Sequence, residues 1–374
     1  MVEADQDRAT DQVINIIGHE GAEQKFLDAY NSGRLHHAWL ITGPRGIGKA
    51  TLARKMARFL LHNPPTVNDD GPGLFGDALE KAPATSLDTD ALSRVNMLIS
   101  ADSHGDLFTL KRRPDEKSGK MRAEIAIDDV RKLIGFFSKT STEGGWRIAI
   151  VDSADEMNRA SANALLKILE EPPKNTIFFL LAHAPGKLLP TVVSRCRQLG
   201  LKPLSLPTVR EILTGHYPDM AADDINGYAL LSDGSPGYAI KLVEHEGLDL
   251  YIRILELLAT MPRLDVPLAH KLADNLSRKG GDEKYILFGE LLTSFISRMI
   301  RHAAFRGQHA EPAESPVLPV LTGELDLMIR LGRRISLDQW VDLWEKVSRK
   351  MGQINLDRKQ VVLNILTLLN QKLN

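Results

Sequence analysis

The sequence predicts an α/β domain built on a mostly parallel sheet, followed by an all-helical C-terminal region. Three observations carry that prediction. Short, unalternating apolar runs at 38–43, 147–152 and 177–181 lie between amphipathic segments, the pattern of strands covered by helices on both faces. The first run, Ala38-Trp39-Leu40-Ile41-Thr42-Gly43, feeds a glycine-rich turn and then a helix, which opens an α/β unit. After about Pro203 the strand signals fade and helical periodicity takes over.

The elements follow in order. Residues 1–12 are polar and expected to fray. A short helix over 17–30 sets Ala22, Phe26, Ala29 and Tyr30 on one side. After the first strand, a helix over about 48–61 carries Leu52, Met56, Phe59 and Leu60 on one face and Arg54, Lys55 and Arg58 on the other. Residues 62–124 change character. Asn63-Pro64-Pro65, Asp69-Asp70-Gly71-Pro72-Gly73 and Arg113-Pro114-Asp115-Glu116-Lys117-Ser118-Gly119 are turn signals, so this stretch reads as an irregular insertion with one strand at 107–110. A helix over 127–140 takes Asp128 as its N-cap and Val130, Leu133, Ile134 and Phe137 as its stripe. The strand at 147–152 ends on a carboxylate. Asn158 caps a helix over 159–171 that buries Ala162, Leu165, Leu166 and Leu169, and Pro172-Pro173 stop it. Short helices are expected over 209–216, 224–231 and 238–245, and longer ones over 251–261, 282–304, 337–351 and 357–373, with no solenoid repeat.

Composition bounds the function. The 374 residues suggest two or three domains, and 43% hydrophobic with 25% charged residues is ordinary globular usage. Lys+Arg of 47 against Asp+Glu of 48 gives a formal charge of −1, which argues against holding DNA by bulk charge and leaves only local patches. Of these, Lys111-Arg112-Arg113 reads more as a solvated loop than as a DNA site. A single cysteine, Cys196, excludes a disulfide framework and a Cys-rich zinc site within one chain, and points to a reducing compartment. No apolar run approaches the ~20 residues that span a bilayer, and the acidic Met1-Val2-Glu3-Ala4-Asp5-Gln6-Asp7 lacks the apolar core of a signal peptide. A cytoplasmic protein without a membrane partner is expected.

Three stretches carry chemistry. Gly43-Pro44-Arg45-Gly46-Ile47-Gly48-Lys49-Ala50 matches G-x-x-x-x-G-K between a strand and a helix. Such a loop turns backbone N–H groups and a helix N-terminus toward a phosphate chain, and Lys49 would reach the β- and γ-phosphates. A glycine turn that merely opens a helix is the other reading. The next position would carry the Ser/Thr that binds Mg²⁺, and here it is Ala50, whose methyl cannot ligate a hard cation. Second, Ile148-Ala149-Ile150-Val151-Asp152-Ser153-Ala154-Asp155 places Asp152 where a strand-end carboxylate holds the metal, or else caps the following segment. The glutamate that activates water would follow it, and Ser153 stands there instead. Third, Ser194-Arg195-Cys196 offers a guanidinium that stabilises a γ-phosphate in a transition state, or serves as a surface ion-pair partner. Cys196 reads as a small buried hydrophobe.

In this order, with Ala162-Asn163-Ala164-Leu165-Leu166-Lys167-Ile168-Leu169-Glu170-Glu171-Pro172-Pro173 between the second and third, these stretches resemble the bacterial clamp-loader AAA+ family. Ile17-Gly18-His19-Glu20 and His36-His37-Ala38-Trp39-Leu40 look like it too, and the resemblance extends over about 13–245. It implies a RecA-like P-loop domain over 1–203, a helical lid over 204–249 and a helical collar over 250–374. It also implies that Arg195 acts in trans on ATP held by an adjacent tau/gamma motor subunit. The tau/gamma and delta subunits, and through the complex the sliding clamp and primed DNA, are then the expected partners. Motor members carry groups that this chain replaces with Ala50, Ser153 and Gly237, and His183 stands near a further sensor position. A stator is therefore expected, with weak or non-hydrolysed ATP and compromised Mg²⁺ placement. A four-cysteine zinc module often occupies the place of 62–124 in this family, and without cysteines no zinc is expected. The rival readings are a motor-type ATPase using Lys49 and Asp152, and an unrelated P-loop binder.

Overall fold

The computed structural model describes residues 16–65, 82–114, 121–139, 141, 145–278, 280–308, 317–352 and 357–374. The expected fraying of 1–12 and the turn cluster at 69–73 lie outside the described residues. The chain divides into two compact units, Met1–Leu204 and Ser205–Asn374.

The first unit contains α1 (Glu20–Asn31), β1 (Ala38–Thr42), α2 (Lys49–His62), α3 (Arg94–Ser100), β2 (Leu107–Leu110), α4 (Ile127–Phe137), β3 (Arg147–Val151), α5 (Arg159–Glu170), β4 (Thr176–Ala182), α6 (Pro190–Val193) and β5 (Arg197–Gly200). The strands form one sheet in the order β2-β3-β4-β1-β5, and every pairing is parallel. Side chains alternate across it. Trp39, Ile41, Ile148, Ile150, Ile177, Phe179 and Leu181 pack on Phe26, Leu52, Met56 and Phe59 of α1 and α2. Ala38, Leu40, Ala149, Val151, Phe178 and Leu180 pack on Val130, Leu133, Leu165 and Leu169 of α4 and α5. Both faces are covered, which is why the central strands are apolar without alternation.

Two local expectations are corrected. The N-cap of α4 is Ala126, which supplies no side-chain cap; Asp128 sits inside the first turn and bonds Arg131 at 2.8 Å. Carboxylates there favour the helix dipole without capping. The helix also ends at Phe137, earlier than the pattern predicts. By contrast, Asn158 does cap α5, its side chain accepting from Ser161 N.

The second unit is helical throughout its described residues: α7 (Leu206–His216), α8 (Ala222–Leu231), α9 (Pro236–Glu244), α10 (Gly247–Thr260), α11 (Val266–Leu276), α12 (Asp282–Gln308), α13 (Glu324–Gly332), α14 (Leu337–Met351) and α15 (Arg358–Leu373). One apolar core joins Leu231 and Leu242 to Tyr251, Phe288, Phe295, Trp340 and Leu366. Among the described residues no helix is long and apolar enough to cross a membrane.

Candidate functional site

The glycine loop is fastened at both ends. Its first residue, Gly43, continues β1 by donating to Ala182 O at 3.3 Å, with φ at +152°. A Cβ at Gly43 would stand 2.8 Å from the Leu201 carbonyl oxygen just past β5, a separation real Cβ atoms do not tolerate. Ile47 is buried in the core between sheet and α2, and His19 Nε2 lies 2.8 Å from Ile47 O, donating to it. Gly48 has φ of +102° and leads into α2 at Lys49. Gly43→Ala is therefore expected to lower unfolding free energy by about 1–3 kcal/mol through overpacking. Gly135→Ala, in the last turn of α4 with open space around it, should be neutral or mildly stabilising. Urea titration followed by circular dichroism separates the two.

Lys49 is 4% exposed, and its ammonium donates to Gly43 O at 2.7 Å and Pro44 O at 2.6 Å. Burial pulls its pKa down to about 8, although Asp152 and Asp155 oppose that shift. Arg45, by contrast, reaches out to Glu156 at 2.6 Å, and Arg112 pairs with the same carboxylate at 2.7 Å. Part of the basic run 111–113 is thus tied to the turn after β3.

That turn supplies the acidic side. Asp152 follows β3, its backbone N–H donating to Leu110 O. Ser153 adopts a left-handed conformation at φ 63° and ψ 56°, and its hydroxyl lies 3.1 Å from His183 Nε2 at the end of β4. Burial, with Lys49 and Arg45 nearby, lowers the His183 pKa to about 4, so the ring is neutral at pH 7. Asp155 is already engaged, accepting from Ala184 N at 2.9 Å and His183 N at 3.2 Å. Burial pushes its pKa up, but those two N–H donors leave it lowered overall. A neutral Ser–His contact therefore occupies the position of a water-activating carboxylate, and the nearest spare acid holds backbone instead. The residues fit a phosphate chain: a buried ammonium, a glycine loop and a helix start. They fit a magnesium ion poorly, because Ala50 brings a methyl and leaves Asp152 as the one strand-end carboxylate. Among the described residues no group of three or more His, Cys, Asp and Glu side chains could hold a metal. In the second unit, Ser235 caps α9 by accepting from Tyr238 N, and Gly237 sits in the first turn with no side chain to offer.

Arg195 is elsewhere. Lys49, Asp152 and His183 follow the C-terminal ends of β1, β3 and β4. Arg195 precedes β5, whose Arg197 pairs with Trp39 at the start of β1 and whose Gly200 pairs with Thr42 at its end. All strands being parallel, Arg195 lies beyond the opposite end of the sheet, at least four residues or roughly 13 Å of strand away from the loop. Its Nη1 donates to Thr191 O at 3.0 Å, and its Nη2 pairs with Glu170 at 2.8 Å. Cys196 packs against the core on the α4 and α5 side of the sheet, and burial pushes its thiol up to about 12, so it stays protonated. The structure brings Gly43, Pro44, Arg45, Gly46, Ile47, Gly48, Lys49, Asp152, Ser153, Asp155 and His183 to one end of the sheet and leaves Arg195 at the other. The sequence does not reveal the contacts of His19 with the Ile47 carbonyl, of Glu156 with Arg45 and Arg112, or of Glu170 with Arg195. All three make contacts remote in sequence, which no local pattern signals.

Parallel sheet order, glycine loop and strand-end carboxylate define an α/β module of the P-loop type. Residues 78–205 match the family model described as DNA polymerase III, delta subunit. The chain is 35% identical over 206 residues to DNA polymerase III subunit delta' of Pseudomonas aeruginosa, covering 55% of each chain. It is 32% identical over 223 residues to subunit delta' of Escherichia coli, covering 59% of this chain and 58% of that one. It is also 32% identical over 199 residues to subunit gamma/tau of Mycobacterium tuberculosis, covering 53% of this chain and 30% of that one. The chain spans just over half the length of the delta' relatives it matches. Over that stretch the chain is similar to the delta' and gamma/tau subunits of DNA polymerase III.

Proposed function

We propose that this chain is a delta-prime-like stator of the DNA polymerase III clamp loader, which presents Arg195 to ATP held by an adjacent tau/gamma motor subunit. The observation that carries the reading is the separation of Arg195 from its own glycine loop by the length of the sheet. A guanidinium on that edge cannot serve Lys49 and Asp152 of the same chain, but it is available to a neighbour. The home site supports the same reading: Ala50 supplies no metal ligand and Ser153 no base; separately, Gly237 of the second unit offers no sensor side chain. Residues 1–203 would be the P-loop domain, 204–249 the lid and 250–374 the collar that assembles with tau/gamma and delta subunits in the cytoplasm. The sliding clamp and primed DNA are reached through that complex, and polymerisation belongs to other subunits.

The test is steady-state ATP hydrolysis. The isolated chain with Mg²⁺ and ATP should show no turnover. Added to tau/gamma and delta subunits, it should raise DNA- and clamp-stimulated hydrolysis. Turnover by the isolated chain that disappears in Lys49→Ala would overturn the reading in favour of a motor.

Nucleotide held at the home site has its own signature. A polyphosphate beside Lys49 favours the charged ammonium and raises its pKa from about 8. Binding of ADP at pH 8 should therefore take up roughly half a proton, and at pH 7 only about a tenth. Calorimetry in buffers of different ionisation enthalpy measures this. The uptake should vanish in Lys49→Met; binding without uptake at pH 8 would show that Lys49 does not meet the phosphates.

A further inference from the structure

We propose that Glu170 is the positioning residue of Arg195, setting the direction in which the guanidinium leaves the sheet edge. The inference rests on the trans-arginine reading above. One guanidinium is pinned to two elements: Nη1 to the Thr191 carbonyl of α6, and Nη2 to the carboxylate that ends α5. The pair is a third to a half exposed, 36% for Arg195 and 49% for Glu170. Pairs so exposed add little stability, so what this contact supplies is orientation.

Its placement breaks a local rule. Glu170 closes α5 and Glu171 is its C-cap, where negative charge opposes the helix dipole, and Lys167 is the basic residue of the last turn. A local preference broken at an exposed position is where function is expected. The carboxylate is not on a fraying end, either. His37 Nε2 donates to Leu169 O at 3.1 Å, which fastens the last turn of α5 to the residue before β1. The His37 ring stacks on His36 at 4.5 Å. Glu170 thus stands on a held scaffold and reaches the arginine from the side. Arginine has five N–H donors in a planar fork, so a phosphate can be met by donors other than those bonded to Glu170 and Thr191. The acidic end of the A-N-A-L-L-K-x-L-E-E-P-P run acquires a role in this way.

The experiment uses the reconstituted complex carrying Glu170→Gln, Arg195→Ala or both. Single-turnover hydrolysis at the site facing Arg195 should slow by about 3- to 10-fold in Glu170→Gln at saturating ATP. The ATP concentration for half-maximal rate should stay within about twofold, and the melting midpoint and assembly should match wild type; a merely structural residue would move these instead. The double variant should be no slower than Arg195→Ala alone. If Arg195→Ala itself hydrolyses like wild type, the trans-arginine reading falls and this role with it. If Arg195→Ala is slow but Glu170→Gln is like wild type, the reading stands and the positioning role is wrong. Additive losses in the double variant would also overturn it, since Glu170 would then act without Arg195.

Discussion

Arg195→Ala should abolish stimulation of the neighbouring subunit's ATPase while leaving this chain folded and assembled. An arginine supplied to a developing γ-phosphate charge contributes on the order of 10³–10⁵ in rate, and that factor should be lost at the facing site. In the proposed ring the other sites continue, so the loss should appear in a single-turnover experiment as one site's share of ATP moving from the fast to the slow phase. The folded chain should not notice. The side chain is partly exposed and its ion pair with Glu170 is of the kind worth about 0–1 kcal/mol. Arg195→Lys should fail to restore the rate, because an ammonium is a point charge that cannot bridge two oxygens as a planar fork does. Arg197 is the control. It lies two residues on, its guanidinium 4.9 Å from the centre of the Trp39 ring, and Arg197→Gln should retain stimulation at a stability cost of about 0.5–1 kcal/mol. Equal loss in both variants would mean that the edge works through general positive charge and not through one aimed guanidinium.

The central strands were legible because burial on both faces leaves its mark on every residue. β1, β3 and β4 read as continuous apolar runs for that reason. β5 did not: of Arg197-Gln198-Leu199-Gly200 only Leu199 is buried, and the strand exists because β1 offers an edge to pair with. Tertiary context made that element, and no window of sequence holds it. α3 is similar, a seven-residue helix inside the turn-rich stretch, started by Ser93 accepting from Asn96 N. α11 is a different case. Asp265-Val266-Pro267 is a helix-start signal, Asp265 does accept from Leu268 N, and Ala269, Leu272, Ala273 and Leu276 form its buried stripe. The start signal and stripe make that helix legible locally, although it is not among the helices expected over this region. At the site, the glycine loop and the carboxylate after β3 are local patterns and are legible in the sequence. The Ser153–His183 contact and the Arg195–Glu170 pair join residues from different elements, and only the sheet order brings them together.

Glu324→Ala should have the largest effect on stability, and it should strike the second unit alone. Glu324 is 1% exposed at the start of α13. Its carboxylate accepts from the Tyr251 hydroxyl at 2.5 Å, pairs with Arg298 at 2.8 Å, and takes the backbone N–H groups of Val320 at 2.5 Å and Leu321 at 3.3 Å. Arg298 also bonds Tyr251 at 3.0 Å and Leu318 O at 2.5 Å, so the buried cation is satisfied on several sides. Burial holds the Tyr251 phenol protonated, which keeps it a donor to the carboxylate. Removing the carboxylate leaves a buried guanidinium, a phenol and two amides without their acceptor. Breaking a buried pair from one side costs about 3–5 kcal/mol, a large share of the 5–15 kcal/mol typical of a whole domain. Removing both charges, as in Arg298→Met with Glu324→Leu, should cost less than Glu324→Ala, since no buried ion is then left behind. Hydrogen exchange read by mass spectrometry distinguishes the units: protection should fall across α10, α12 and α13 and persist in β1, β3 and β4. A wild-type exchange pattern in Glu324→Ala would mean that water replaces the carboxylate at little cost. The contrast with Arg195→Ala then separates two failures of one assembly. Loss of Arg195 should leave a complex that forms and hydrolyses slowly. Loss of Glu324 should leave an intact P-loop unit with a second unit that no longer supports the proposed assembly.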